Sequence, residues 1–121
     1  MTFAVIGCKP AETGIYPVFA HPKGLKKPGL WVQRIDLWAL NGAFAAQARD
    51  CRNTLGSPDN RLNVNVGVLA IGQPCSATGQ RVTQHALTKV KRRCSKKVYV
   101  SLCIVERIKG RMGAAEIFQG L

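Results

Sequence analysis

An α+β fold is predicted, with short strands and long loops first and a basic helix and a strand after them. Three observations predict it. Apolar runs in the first two thirds are short and separated by turn residues. Pro10, Pro17, Pro22 and Pro28 fall with Gly14, Gly24 and Gly29 inside one stretch, where regular structure would be interrupted repeatedly. Only the last third carries apolar residues at helical spacing. The 121 residues fit a single small domain over 1–121, read as a segment 38–74 and a basic C-terminal region 75–121.

The elements follow in order. Thr2 to Gly7 is short and apolar and reads as a buried strand; with no basic residues before it, it is not a signal peptide. Lys9 to Gly29 reads as a loop made basic by Lys23, Lys26 and Lys27. Leu30 to Leu40 reads as a strand or strand pair, with Trp31 and Trp38 anchoring the core. Asn41 to Asn65 is polar and turn-rich, and Ser57-Pro58-Asp59-Asn60 has turn chemistry. Val64 to Ile71 reads as a strand stopped at Gly72-Gln73-Pro74. Thr78 to Arg93 is a helix, with Thr78 as N-cap and Val82, Ala86, Leu87 and Val90 on its apolar side. Val98 to Val105 is a β run, and Glu106 to Met112 a short helix.

Charge is the strongest bulk signal. There are 18 Lys and Arg against 6 Asp and Glu, a net of +12. Such a field attracts RNA, DNA or anionic lipid. Lys89, Lys91, Arg92, Arg93, Lys96 and Lys97 are packed into nine residues, a candidate phosphate-binding cluster. Tyr99 stands next to it, able to stack on a base or to pack in a strand. Nothing in the cluster reads base edges.

The cysteines Cys8, Cys51, Cys75, Cys94 and Cys103 are odd in number and form no C-x-x-C pair. With His21 and His85 far apart, no zinc spacing results and no metal or other cofactor is expected. Reduced thiols point to the cytoplasm. Cys94, among Arg93, Lys96 and Lys97, is the most reactive thiol on charge grounds. No nucleophile can be set beside His85, so no catalytic triad is expected. No apolar run is long enough to span a bilayer.

Four short motifs recur in order: Gly42-Ala43-Phe44, Ala48-Arg49 with Arg52, Pro58-Asp59-Asn60-Arg61 and Asn65-Val66-Gly67. Residues 38–69 thereby resemble the C-terminal signature of the formylglycine-generating enzyme (sulfatase-modifying factor) family. The resemblance implies a C-type-lectin-like fragment. The family's two reactive cysteines align with Ala43 and Ala48, and Cys51 is out of register. Copper-dependent oxidation is therefore not expected. The same signature occurs in variable proteins of diversity-generating retroelements, whose tolerant positions align with Ala45, Ala46, Asp50, Leu55, Gly56, Ser57, Leu62 and Val64. The resemblance implies a non-enzymatic ligand-binding or display fragment, a truncated relative of the family. Phe44, Arg49, Arg52, Asp59, Asn60, Arg61, Asn63 and Asn65 would meet an unspecified ligand or protein surface. The alternative is a basic nucleic-acid-binding protein using residues 89–97.

Overall fold

The computed structural model describes residues 2–9, 15–26, 29–74, 77–94, 97–104 and 111–119. Four strands form one mixed sheet: β1 (Thr2–Cys8), β2 (Leu37–Leu40), β3 (Lys97–Ile104) and β4 (Arg111–Gln119), in spatial order β1-β4-β3-β2. β2 runs parallel to β3, while β3–β4 and β4–β1 are antiparallel. Among the described residues four α-helices accompany it: α1 (Tyr16–Lys26), α2 (Ala45–Leu55), the single turn α3 (Val68–Ile71) and α4 (Thr78–Arg93).

The sheet is covered on both faces, and the alternation within β2 shows how. Trp38 joins Ala20 and Leu25 of α1, Ile35, and Ala115 and Ile117 of β4 in one cluster. Its neighbour Leu37 points the other way, into Val82, Ala86 and Val90 of α4. Successive strand residues face opposite sides, so α1 and α4 lie on opposite faces. α2 packs beside α1, with Leu55 against the Trp38 cluster. The architecture is therefore helix–sheet–helix around a mixed sheet. It is not a lectin-like assembly of short strands and long loops, and that expectation is corrected here.

The largest departure is α1, which occupies the stretch expected to be a loop. Pro17 sits in the first turn, where its missing N–H costs nothing. Pro22 does forfeit one helical bond. The helix nevertheless buries Tyr16, Pro17, Ala20, His21, Gly24 and Leu25. That burial outweighs local propensity. The fit is close: a Cβ added at Gly113 of β4 would lie 2.8 Å from the Cβ of Tyr16, so only glycine lets α1 seat there.

Other expectations divide. α2 forms inside the supposed loop, from a run of good helix formers ended by Gly56 in the left-handed conformation (φ 63). Of Leu30 to Leu40 only Leu37–Leu40 is strand; Val32–Arg34 is a single 3-10 turn. Trp38 is buried, but Trp31 is 73% exposed. Val64 to Ile71 is a loop and α3, not a strand. α4 forms over the residues expected, but Ala77 is its N-cap and the Thr78 hydroxyl donates back to the Pro74 carbonyl at 2.9 Å. The helix expected over 106–112 falls mostly outside the described residues; its last two residues belong to β4.

Candidate functional site

Backbone strain gathers at one edge of the sheet. β2 ends at Leu40, and Asn41-Gly42-Ala43-Phe44 turns the chain into α2. Asn63 (φ 45) and Val66 (φ 60) take left-handed backbone there, as do Gly42 (φ 60) and Gly72 (φ 78), for which it carries no strain. For a β-branched residue such as Val66 this is a true outlier. Such conformations persist only where the surroundings impose them, and they cluster at functional sites.

The surroundings here are polar and specific. Asn63 behaves as a substitute strand neighbour: its N–H donates to the Trp38 carbonyl at 2.8 Å, and its Oδ1 accepts from the Leu40 N–H at 2.8 Å. Leu62 bridges Trp38 in parallel, so this segment seals the free edge of β2. The Asn41 carbonyl accepts from the Val68 N–H at 3.2 Å. Gly67 lies so close that a Cβ there would sit 3.1 Å from Asn63 Nδ2 and 3.4 Å from the Asn41 oxygen.

Asn41 is completely buried. Its Oδ1 accepts from Arg81 Nη2 of α4 at 3.3 Å, fixing the side chain. Its Nδ2 and the Nε of Arg81 are buried donors without a partner among the described residues. Unsatisfied buried donors are rare and call for an explanation. Between β2, the 63–67 loop and α4 a cleft of about 30 Å³ is lined by Asn63, Asn65, Arg81, His85 and Lys89. That is room for one or two waters.

The parallel register of β2 and β3 sets Leu40 opposite Ser101. Cys103 lies two residues further along β3, roughly 6.6 Å past the level where β2 ends, opposite Gly113 of β4. The other described cysteines lie elsewhere: Cys8 ends β1, Cys51 is buried in α2, and Cys94 is exposed at the left-handed C-cap of α4. Cys75 lies outside the described residues. No His, Cys, Asp or Glu cluster suited to a metal occurs among the described residues.

A family profile described as "Thiolase, C-terminal domain" matches residues 1–120. The chain belongs to the thiolase C-terminal-domain family. It is 45% identical over 121 residues to the peroxisomal 3-ketoacyl-CoA thiolase 2 of Arabidopsis thaliana, covering 98% of this chain and 25% of that protein. It is 42% identical to the 3-ketoacyl-CoA thiolase of Bacillus subtilis, covering 98% of this chain and 29% of the relative. The crystal structure of human mitochondrial 3-ketoacyl-CoA thiolase superposes with a TM-score of 0.91 at 37% identity, over 99% of this chain and 29% of that one. The same enzyme in complex with CoA also gives 0.91, at 36% identity, over 100% of this chain and 30% of that one. The chain thus spans between a quarter and a third of the relatives' length.

The thiolase match overturns the formylglycine-generating resemblance. That resemblance rested on short runs of turn and helix-start residues, and such chemistry recurs in unrelated folds. It covered residues 38–69, whereas the thiolase likeness covers the whole sheet and its helices. The non-enzymatic display reading falls with it, because the relatives are enzymes. The nucleic-acid alternative is likewise without support. Lys91, Arg92 and Arg93 are exposed at the C-terminal turn of α4, where cations complement the helix dipole. Lys89 instead lines the cleft, roughly 200° around the helix from Lys91. Lys97 begins β3, and Lys96 lies outside the described residues.

The residues singled out as ligand-binding are dispersed. Phe44 is exposed at the N-cap of α2, and Arg49 is exposed along it. Arg52 pairs with Asp59 at 2.8 Å, beside Asn60 in a 3-10 turn. Arg61 donates to the carbonyls of Gln33 and Ile35 at 3.3 and 3.1 Å, tying that turn to the start of β2. Only Asn63 and Asn65 reach the cleft. The sequence alone assigned no site role to Asn41, Gly67, Arg81 or Cys103. Asn41 carried one usable signal: a polar residue directly after the apolar Leu37-Trp38-Ala39-Leu40.

Proposed function

We propose that this chain forms part of a thiolase-type acyltransferase acting on short acyl-CoA or 3-ketoacyl-CoA thioesters. Its share of the active site is the loop cluster beyond β2. The observation that carries this reading is the pair of buried, unpartnered donors, Asn41 Nδ2 and Arg81 Nε, held within strained loops of a domain matched to thiolases over 1–120. Acyl transfer from a thioester builds negative charge on the carbonyl oxygen, and preorganised donors stabilise it. Arg81 orients Asn41 through its Oδ1, leaving the amide N–H to face that oxygen.

The loops at residues 41–44, 63–74 and 77–81 contain no carboxylate, imidazole, ammonium or thiol. Nucleophile and proton acceptor must therefore come from neighbouring segments. The register of β3 favours Cys103, since a thiolate can attack a carbonyl or accept a proton. CoA is proposed as the carrier because a structural relative was solved with it. The cytoplasm is proposed as the compartment on the reduced thiols of Cys51 and Cys94. Among the described residues, no helix is long and apolar enough to cross a membrane.

The test is CoA-dependent cleavage of acetoacetyl-CoA. It is assayed with the chain alone and with the chain mixed with the complementary N-terminal part of the Bacillus subtilis relative. Turnover is expected in the mixture. Asn41→Ala should lower kcat about 10²–10³-fold with little change in KM, and Cys103→Ser should lower it at least as far. Absence of turnover in both samples, or full rates in both variants, would sink the proposal.

A further inference from the structure

We propose that the groove at the end of α1 binds an amphipathic monocarboxylate, an apolar body with one anionic head, such as a medium-chain fatty acid. The groove has a volume of about 480 Å³, within the range of small-molecule sites. Its walls come from Pro22 and Leu25 of α1, Leu30, Trp31 and Val32 of the following turn, and Leu55 of α2. Trp31 stands at the groove with 73% of its surface exposed. A large flat side chain left in water beside other apolar groups is a ready surface for an apolar ligand.

Charge selects the head group. Among the described residues, Lys26 is the one cation lining the groove, and no carboxylate lines it. Lys26 makes no ion pair among the described residues. The backbone closes the end of α1 without help from this side chain: the Gly29 N–H donates to the Lys26 carbonyl at 3.2 Å, and the Leu30 N–H to the Leu25 carbonyl at 3.0 Å. The ammonium is thus available to a ligand anion while the stem of the ligand lies along Leu25, Trp31 and Leu55. The groove is separate from the thioester site. It meets the last turn of α2, whereas the strained loops meet its first, and an eleven-residue helix spans about 16 Å.

The experiment titrates the chain with decanoate, held below its micelle-forming concentration, and with decanol and acetate, by calorimetry and tryptophan fluorescence. Decanoate should bind one-to-one and shift the emission. Trp31→Phe should abolish that shift while heat is still released, which separates Trp31 from the buried Trp38. Decanol should bind about three- to fivefold more weakly, the size of a surface ion pair, and acetate should not bind. Lys26→Gln should weaken decanoate by the same factor and leave decanol unchanged. Thr54→Phe, which fills the groove from an exposed position, should abolish both. Non-saturating heats, unchanged decanoate binding in Thr54→Phe, or equal affinities for decanoate and decanol would each overturn the proposal.

Discussion

α1 and α4 cover opposite faces of the same sheet by different means. α1 buries six of its eleven residues, including an imidazole and a proline. α4 buries four of sixteen, all on one stripe, and leaves the rest half-buried or exposed. The first is a helix because the sheet needs that volume filled; the second has a pattern that already specifies a helix. The difference teaches that burial can rescue a segment whose own sequence opposes the structure, and that such a segment becomes hard to recognise.

If that contrast is right, the α1 face should be the more costly one to damage. Trp38→Ala should destabilise by about 3–5 kcal/mol. Val82→Ala on the α4 face should cost about half that or less. Equal losses in urea denaturation would break the comparison.

Acid should also act through the α1 face. His21 is buried, with its ring centroid 5.4 Å from that of Trp38. Burial lowers its pKa from 6.5 to about 3. The unfolded chain therefore takes up a proton that the folded chain refuses. Stability from this group is complete above pH 6.5 and is lost as pH falls towards 3. The loss should reach about 2 kcal/mol by pH 5. Denaturation midpoints at pH 7 and pH 5 measure it, and His21→Gln should remove that part of the slope.

Pro22→Ala sharpens the contrast from the other side. It restores the missing helical N–H and should stabilise by about 1–2 kcal/mol, read as a raised Tm. A loss instead would mean that the ring contributes more by packing than the bond it forfeits. The smallest effect is expected from Leu87→Lys on α4. Leu87 is 43% exposed, and the change should stay within about 0.5 kcal/mol.

The legible parts of the sequence were those where local pattern and final environment agree. The apolar start gave β1, the alternating run near residue 100 gave β3, and the spacing of Val82, Ala86 and Val90 gave α4. α2 was readable too, since Ala, Gln and Arg followed by Gly56 make a helix with a stop. It was missed because its motifs were matched to another family's pattern. α1 was illegible for the reason above. The candidate site was hardest. Val66 in a left-handed conformation contradicts its own propensity, so sequence reading extended it into a strand. Asn41 and Arg81 lie forty residues apart, and no local pattern announces that they meet.

The strand order carries a consequence for synthesis. β1 pairs with β4, and Thr2 lies opposite Ile117. At roughly 5–20 residues per second on the ribosome, β1 waits roughly 6–23 s for its partner. β4 lies between β1 and β3, so until it is made neither of them has that neighbour. The four-stranded sheet is complete only when β4 joins, so its two antiparallel pairings are the last to form during synthesis.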